Sequence, residues 1–558
     1  MTTSGSRHSG TGRRHLAAAL MTVASLGLTL IPGAPALAAP QDAPQGGDRV
    51  EQLGAAQPAA GTSPGTAAAP AWPDSGAGAS TARRMAGLRG DPARLRDFLR
   101  QMPKGGDLHT HLSGAVPTES LIELAARDGL CIDKTMTAVP APCADGARPA
   151  QDAVDDRDFR QQVIRAWSME DFKETDEESG HDHFFSAFGK FGAVTHTHRG
   201  RLLAAVSRTA VKNSQSYVEP LFTPRGGDLA ALGKAVEWNP DFAQMRKTLL
   251  AGDGMDTYVE KAANDTEGYL GEYYDELGCA TSDPEPACAV DLRFVFQVGR
   301  AYDPKYVFTQ LLAGFLMAEN HPYYVGVNLV QPEDDPVALR DYRLHMRMIR
   351  YLQTVYPTAR VTLHAGELTE KLASAEDRRF HIREAVRTAG AERIGHGVSV
   401  MSEDRPGQLL RSMARRKVAV EVPLTSNCQI LEVCGAEHPL RRYLDADVPV
   451  ALATDDQGVS RTDITDEYER AATEHHMSYR ELRASARASL DHAFVQGHSL
   501  WRGPGDYRPG RDCVGSDPRA GEATSRCQAM IEESPKAALQ WKLEQDLADF
   551  EARHGVRR

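Results

Sequence analysis

The chain has 558 residues, of which 41% are hydrophobic and 25% charged, a composition typical of a folded protein with a large core. Its formal net charge is −12, from 64 basic and 76 acidic side chains. This charge argues against a nucleic acid as the main partner, because phosphate-binding surfaces concentrate positive charge.

The first 38 residues have the pattern of an export signal. Arg13 and Arg14 precede an apolar run over residues 16–31, and a small-residue sequence ending at Ala38 follows. The run is short for a membrane span, so we expect cleavage near Ala38, a secreted protein and no membrane span afterwards. The arginine pair leaves the general and the twin-arginine export routes both open.

Composition also predicts the domain organisation. Residues 39–80 are rich in Ala, Pro and Gly and lack bulky apolar periodicity, which predicts a disordered linker. Residues 81–558 are predicted to form one domain. Two long gaps between predicted strands, at about 131–190 and 226–290, are expected to hold inserted helices and loops.

The eight cysteines fall into close sequence pairs. An oxidising destination favours local disulfides, although eight cysteines allow 105 connectivities and free buried thiols are the alternative. The nearest-neighbour hypothesis joins Cys131 with Cys143, Cys279 with Cys288, Cys428 with Cys434, and Cys513 with Cys527.

A helix is predicted over residues 84–101, and short apolar runs then alternate with helix-like segments such as 337–354 and 375–389. The runs cover residues 104–109, 216–222, 292–299, 323–330, 360–367, 393–398, 418–427 and 448–456. Eight buried strands alternating with helices predict an α/β fold, a (β/α)8 TIM barrel. The tail over 465–558 is predicted to be mostly helical.

The first strand ends in two histidines one residue apart, within "GGDLHTHLSG". Side chains at positions i and i+2 of a strand share a face, so His109 and His111 point the same way. Barrel active sites lie at the carboxyl ends of the strands. The pair therefore suits a metal ion, and a pair of exposed loop histidines is the alternative.

Later strands end in further metal-binding or acid–base residues. These are His364 and Glu367 after the fifth strand, His396 after the sixth, and Asp455 with Asp456 after the eighth. Because the carboxyl ends of barrel strands meet at one face, these residues are expected to converge. Three imidazoles and one carboxylate suit one zinc ion, and the remaining groups suit proton transfer.

The motifs "MPKGGDLHTHLSG", "HAGE", "RIGHG", "PLTSN" and "TDD" occur in the order found in the adenosine deaminase family of metal-dependent amidohydrolases. With its export signal and extra loops, the sequence resembles the secreted, growth-factor-like branch. The resemblance implies a (β/α)8 barrel with one zinc per chain. It also implies hydrolysis of adenosine, and of 2′-deoxyadenosine, to inosine and ammonia.

The resemblance also implies roles for individual residues. The zinc ligands would be His109, His111, His364 and Asp455. Glu367 resembles the acid that protonates N1 of the purine, His396 the residue that orients and deprotonates the attacking water, and Asp456 the carboxylate that contacts N7.

Two positions depart from the family pattern. Ser113 stands where the family commonly has an acidic residue that can bind the ribose, and Gln331 replaces a glycine whose backbone meets N3 of the purine. We expect both residues to contact the substrate, together with Gly366 and an apolar wall that includes Phe184 and Phe188. The alternative for the phenylalanines is plain core.

Glycines 366, 395 and 397 are expected either to let substrate approach the backbone or to form tight turns. Ser426 and Asn427 are expected either to support the site or simply to turn the chain.

Other functions stay open from the sequence. The nearest is a mononuclear zinc amidohydrolase acting on adenine or a modified adenosine, because Ser113 and Gln331 alter the expected ribose and purine contacts. A two-metal enzyme is less favoured, since the fourth strand offers no lysine at its carboxyl end. A non-catalytic binding or signalling barrel is the alternative outside enzymes. The partner is expected to be a small purine nucleoside, and the oligomeric state stays open, with a homodimer as one candidate.

Overall fold

The computed structural model describes Trp72 and residues 76–555. The predicted export signal and most of the predicted linker lie outside these residues. The first helix is Gly76–Leu88, which begins inside the range assigned to the linker, and the second is Pro92–Gln101. The single helix predicted over 84–101 is therefore wrong. Asp91 caps the second helix through the Arg94 N–H and Pro92 occupies its first turn, so the chain starts a new helix there.

Eight parallel strands form the barrel. They are β1 (Gly105–His111), β2 (Gln215–Phe222), β3 (Phe294–Gly299), β4 (Tyr324–Val330), β5 (Arg360–Ala365), β6 (Arg393–His396), β7 (Ala419–Val422) and β8 (Val450–Leu452). Each strand pairs with the next in this order. The ring closes where the His111 N–H donates to Asp455 O and the Asp455 N–H donates to His109 O, at 3.0 and 2.8 Å. The predicted strands and barrel are confirmed.

Helices surround this barrel, and apolar residues fill the space between the two layers. All seven residues of β4 are buried, as expected for a parallel strand covered on both faces. Helices Pro304–Asn320 and Pro336–Val355 follow β3 and β4 and carry buried apolar stripes. The remaining helices before β5 are Leu112–Ala115, Thr118–Arg127, Ala150–Asp155, Arg157–Trp167, Gly180–Thr195, Arg199–Lys212, Gly226–Lys234, Phe242–Leu249 and Gly254–Glu276.

Further helices follow β5 in the described part of the chain. They are His381–Glu384, Pro406–Arg416, Leu424–Leu431, Leu440–Asp445, Gln457–Ser460, Ile464–Thr473, Tyr479–Asp491, Ser525–Glu533 and Pro535–His554. The single helix predicted over 375–389 is wrong. A 3₁₀ turn at Asp377–Arg379 precedes helix His381–Glu384, and a π-helical turn at Ala385–Ala389 follows that helix. Buried His381 anchors this segment through a 2.6 Å contact of its Nδ1 with Glu333.

Several short strands lie outside the ring of eight. Asp291–Leu292 pairs with β2 just before β3. Cys131–Ile132, Ala138–Val139 and Arg148–Pro149 form a small antiparallel sheet inside the first predicted insertion. In the C-terminal tail, Trp501–Gly503 and Asp506–Pro509 form a hairpin that the predicted helical tail did not include.

All four nearest-neighbour disulfides are present. They join Cys131 to Cys143, Cys279 to Cys288, Cys428 to Cys434, and Cys513 to Cys527, so none of the eight cysteines is free. The first two bonds lie in the two predicted insertions. Within the described residues, no helix combines the length and apolarity needed to cross a membrane.

Candidate active site

Three histidines and one aspartate converge at the carboxyl ends of β1, β5 and β8. The Nε2 atom of His364 lies 3.1 Å from His109 Nε2 and 3.2 Å from His111 Nε2. Asp455 Oδ1 lies 3.5 and 3.3 Å from the same two atoms of His109 and His111. All four side chains are buried. The structure therefore brings together the four residues predicted to hold a metal.

Each of the three imidazoles is oriented by an acceptor on another strand. The His109 Nδ1–H donates to Glu421 on β7 at 2.8 Å. The His111 Nδ1–H donates to Gln297 on β3, and the His364 Nδ1–H donates to Asn328 on β4, both at 3.0 Å. Donation from Nδ1 leaves a lone pair on every Nε2, and those lone pairs point at one another.

The spacing of these donor atoms fits a tetrahedral cation. Zinc–ligand distances of about 2.0–2.1 Å place the ligands of a tetrahedral site about 3.3 Å apart. The measured separations, 3.1 to 3.5 Å, bracket that value. Converging lone pairs repel without a cation or protons between them. The four residues thus form a buried metal-binding site.

Burial and neighbouring charges shift the pKa values of the metal-binding residues in different directions. Burial alone would lower the pKa of His109, but hydrogen bonds with Asp455 and Glu421 raise it to about 10. Burial and the neighbouring imidazoles hold the pKa of His364 well below its usual value. Although burial opposes ionisation, hydrogen bonds from His109 and His111 keep the pKa of Asp455 far below its usual range, so this carboxylate stays charged.

Glu367 and His396 lie beside the metal-binding group. His396 Nε2 is 3.5 Å from Glu367 Oε1 and 3.9 Å from Asp455 Oδ2, and it has no hydrogen-bond partner among the described residues. The His396 Nδ1–H donates to Asn427 Oδ1 at 2.8 Å. Burial raises the pKa of Glu367, which favours its neutral, proton-donating form. A potential acid and a free imidazole nitrogen therefore face the same space.

Asp456 supplies a second carboxyl beside the site. Its Oδ1 is buried without a hydrogen-bond partner in the described part of the chain. Burial raises the pKa of Asp456, and the nearby negative charge of Asp455 raises it further. His111 opposes this effect but does not reverse it. Gly114 leaves room for this carboxyl, since a Cβ there would lie 1.9 Å from Asp456 Oδ1.

The glycines at the strand ends shape the site in different ways. Gly366 and Gly397 have φ of +80° and +63°, so both form turns that favour glycine. The Gly366 N–H donates to Glu333 at 3.1 Å. At Gly395 a Cβ would lie 2.5 Å from His109 Cε1, so this glycine makes room for a ligand histidine.

A cavity of about 340 Å³ opens above the metal-binding group. His111, His364, Glu367, Asp455 and Asp456 line its floor. Its walls include Ser113, Gln331, Phe184 and Phe188, which are four of the five predicted substrate contacts, and also Phe185. The fifth predicted contact, Gly366, lies in the turn next to Glu367. The cavity is large enough to hold a small ligand.

Gln331 takes over a glycine-like backbone position. Its φ is +79°, a left-handed conformation that favours glycine. Its side chain accepts a hydrogen bond from the Ala301 N–H at 2.9 Å. Glu333, two residues on, accepts from the Glu367 N–H at 2.7 Å as well as from Gly366, so it holds the turn that carries Glu367.

Sequence reasoning missed several supporting residues. Glu421 orients His109, accepts from Thr362 Oγ1 at 2.9 Å and pairs with Arg393. Buried Arg300 donates to the His364 carbonyl at 3.0 Å, and its Nη2 lies 3.9 Å from Glu367 Oε2. A charged residue inside an otherwise apolar strand, as in "VAVEV", was the available signal for Glu421. Ser426 was expected to support the site, and its hydroxyl donates to Asp455 Oδ2 at 2.6 Å.

Helix Gly180–Thr195 carries two further histidines, His181 and His183, and they contact different partners. His181 Nε2 lies 3.2 Å from Asp334, whereas His183 Nδ1 lies 3.0 Å from Glu178. They lie in different environments, and neither belongs to the potential metal-binding groups found among the described residues.

Comparison with known sequences agrees with this geometry. Residues 278–499 match the adenosine deaminase family. This segment contains β3 to β8, with His364, Glu367, His396 and Asp455, but not the histidine pair of β1. Curated adenosine deaminases from Salmonella heidelberg and Escherichia coli O1:K1 are 39% and 38% identical over 136 residues, 24% of this chain. The chain spans only 38% of the length of each of these relatives.

Solved structures with similar folds include an adenine deaminase from Arthrobacter aurescens, with 18% identity and a TM-score of 0.46. That match covers 71% of this chain and 94% of the other. An Arabidopsis N6-mAMP deaminase matches at 19% identity and a TM-score of 0.46, over 72% of this chain and 96% of the other.

Proposed function

We propose that this chain is a zinc-dependent hydrolase that deaminates adenosine, and 2′-deoxyadenosine, to inosine and ammonia. One observation carries the proposal. Three imidazole lone pairs and an aspartate converge at separations suited to one zinc ion, while Glu367 lines the adjoining cavity and His396 Nε2 lies 3.5 Å from its Oε1. The family match over residues 278–499 supports the same chemistry.

The zinc ligands would be His109, His111, His364 and Asp455. When bound, zinc would supply the Lewis acidity that makes water a nucleophile near neutral pH. Glu421 on β7, Gln297 on β3 and Asn328 on β4 orient the three histidine ligands by accepting hydrogen bonds from their Nδ1 atoms. These hydrogen bonds fix each histidine in the tautomer whose Nε2 is free to bind the metal.

Proton transfer would fall to Glu367 and His396. His396 Nε2 has an uncommitted lone pair and accepts a proton from the attacking water. The neutral Glu367 carboxyl donates a proton to N1 of the purine, which makes C6 more electrophilic. Asp456, whose pKa burial also raises, would donate a hydrogen bond to N7. The water oxygen bonds to C6, the proton taken up by His396 passes to the departing amino group, and the C6–N bond breaks to release ammonia. The remaining hydroxyl proton returns to Glu367 as the C6 carbonyl forms.

The apolar wall has a separate role in this proposal. Phe184, Phe185 and Phe188 lie along the cavity, where their rings would contact the purine and exclude bulk water. Ser113 and Gln331 would contact the sugar and the N3 edge. Because Ser113 and Gln331 depart from the family pattern at these contacts, they also favour a second candidate substrate class, another aminopurine such as adenine or a modified adenosine.

We also infer that the protein works outside the cytoplasm, in the manner of the secreted, growth-factor-like branch that its motifs resemble. Four disulfides support an oxidising compartment, because such bonds are rare in reducing ones. Sequencing the N-terminus of the secreted protein tests the proposed cleavage near Ala38.

Metal analysis combined with product identification tests the proposed activity. Purified protein is expected to contain about one zinc per chain and to release ammonia from adenosine with inosine as the other product. Chelation should abolish the reaction, and added zinc should restore it. A zinc-loaded protein that releases no ammonia from adenosine, 2′-deoxyadenosine, adenine or N6-substituted adenosines would refute the deaminase proposal.

A further inference from the structure

Two larger cavities adjoin the one above the metal-binding group. The first, of about 510 Å³, shares Ser113 and Gln297 with the catalytic cavity. The second, of about 620 Å³, shares Gln297, Val330 and Gln331 with it. Thr223 and Gly226 line both of the larger cavities. The space open to a ligand thus continues beyond the catalytic cavity, on the side of β1 to β4.

The adjoining space differs from the catalytic cavity in the type of ionisable side chain that lines it. Glu367, Asp455 and Asp456 line the catalytic cavity, whereas neither adjoining cavity has an acidic residue in its lining. The adjoining space instead presents Arg199 and His196 on one side and Lys234 on the other.

Arg199 has no carboxylate partner among the described residues. Its Nη2 donates to the Thr223 carbonyl at 3.1 Å, and its guanidinium lies 5.0 Å from the Phe222 ring and 5.8 Å from the Tyr269 ring. A carbonyl and two rings hold the group in place but do not neutralise it. A guanidinium has five N–H donors, so most remain available to an anion.

Arg199 is connected to the metal-binding group by a short series of contacts. It donates to the carbonyl of Thr223, whose hydroxyl donates to the Gln297 carbonyl. The Gln297 side chain in turn accepts from His111. Ser113, two residues after His111, lines both the catalytic cavity and the cavity that contains Arg199. Ser113 therefore lies where the two cavities adjoin, on the route that an extended ligand would take.

We propose that the cavity containing Arg199 receives the 5′-phosphate of a purine nucleotide. Purine nucleoside 5′-phosphates would then be substrates alongside the free nucleosides, an inference that rests on the proposed deaminase activity. Phosphate and guanidinium are complementary in charge and geometry. A neutral side chain at Ser113 leaves the path free of negative charge that would repel a phosphate. Water replaces the 6-amino group, ammonia leaves, and the phosphate ester stays intact.

The first test compares adenosine with adenosine 5′-phosphate on the zinc-loaded enzyme. We expect kcat/KM for the nucleotide to equal or exceed that for the nucleoside. Arg199→Ala should lower the nucleotide-to-nucleoside ratio of kcat/KM by about 10- to 100-fold, the range for losing a charge-assisted hydrogen bond. The loss should be mainly in KM, because the phosphate is remote from the reacting carbon.

A matched control uses another arginine that lies over an aromatic ring. The Arg343 guanidinium is 3.8 Å from the Phe380 ring, has no ion pair among the described residues, and lines none of the three cavities. Arg343→Ala should leave the substrate ratio unchanged. Ser113→Asp tests the same proposal without removing Arg199, since a new carboxylate on the path should lower the ratio at least tenfold. Thermal unfolding of each variant checks that it is folded.

The outcomes separate this inference from the proposed function. If adenosine is deaminated but its 5′-phosphate is not, the inference is wrong while the proposed function stands. The same holds if Arg199→Ala and Ser113→Asp leave the ratio unchanged. If neither substrate is deaminated, and no other aminopurine is, the proposed function itself has failed.

Discussion

The two sides of the barrel mouth differ in packing and charge. At the ends of β5, β6 and β8, Glu367, His396 and Asp455 are buried, and fixed neighbours hold each of them. At the ends of β2 to β4, Thr223 and Gln331 border cavities open enough for ligands. Acid–base chemistry benefits from buried, fixed groups, because a low local dielectric strengthens their interactions. Recognition of a substrate needs accessible space, which the other side supplies.

Loss of a ligand on the buried side should have the largest effect. His364→Ala removes one of the three nitrogen ligands and leaves only His109, His111 and Asp455. We therefore expect the zinc content to fall below about one tenth of an ion per chain. Activity should fall by at least about 1,000-fold, since the nucleophile depends on the metal. Exposed His498 offers the control, and His498→Ala should keep both zinc and activity. Full zinc content and activity in His364→Ala would contradict the ligand assignment.

Replacing the proposed acid should be nearly as damaging while leaving the metal in place. Glu367→Gln preserves shape but removes the acidic proton, so kcat should fall by about 10²- to 10⁴-fold. Burial raises the pKa of Glu367, and its neutral form is the active one. Wild-type activity should therefore fall as the pH rises through that pKa. The variant should lack this alkaline decline. A Glu367→Gln enzyme with wild-type kcat would assign the proton to another group.

Weakening the support behind a ligand should have an intermediate effect. Glu421→Gln keeps an acceptor for His109 but removes the charge that also pairs with Arg393, so zinc affinity should fall about 10- to 100-fold. Titration of the metal-free protein with zinc measures this change. Glu437→Gln, at an exposed position, is the control. Equal affinities in the two variants would show that Glu421 serves folding alone.

The smallest effect is expected at the wall of the cavity. Phe188→Ala removes a partly buried ring that would contact the purine before and during the reaction alike. Aromatic contacts contribute about 0.5–1.5 kcal/mol, so KM should rise up to about tenfold with kcat nearly unchanged. Phe242→Ala is the control, because Phe242 packs against Phe308 outside the site, and its KM should not change. A large fall in kcat for Phe188→Ala would assign the ring a role in the reaction itself.

The parts of the fold that followed from sequence were those with a local signal. Apolar runs marked all eight barrel strands, and spacing within the chain was enough to pair the cysteines. The hairpin at Trp501–Gly503 and Asp506–Pro509 was missed because its polar, short strands lack that signal. The segment around His381 was predicted as one helix because its break depends on a contact with Glu333, 48 residues earlier.

The same contrast holds for the candidate site. The histidines and acids at strand ends were recognisable because each carries metal-binding or acid–base chemistry and sits after an apolar run. Their supports were missed, since Gln297 and Asn328 look like ordinary strand residues until the barrel closes and Glu421 offered only its charge within an apolar strand. Gly395 was predicted to face a substrate or a turn, whereas the folded chain uses it to fit the His109 ring.

The amino-acid sequence alone determined which residues could bind a metal and which strand ends would carry them, because those features are local. Only the tertiary structure decided which imidazole nitrogen faces the centre, which carboxyls have a raised pKa, and where cavities adjoin the site. These properties depend on burial and on partners from distant strands. Desolvation and hydrogen-bond geometry arise only when such segments pack together.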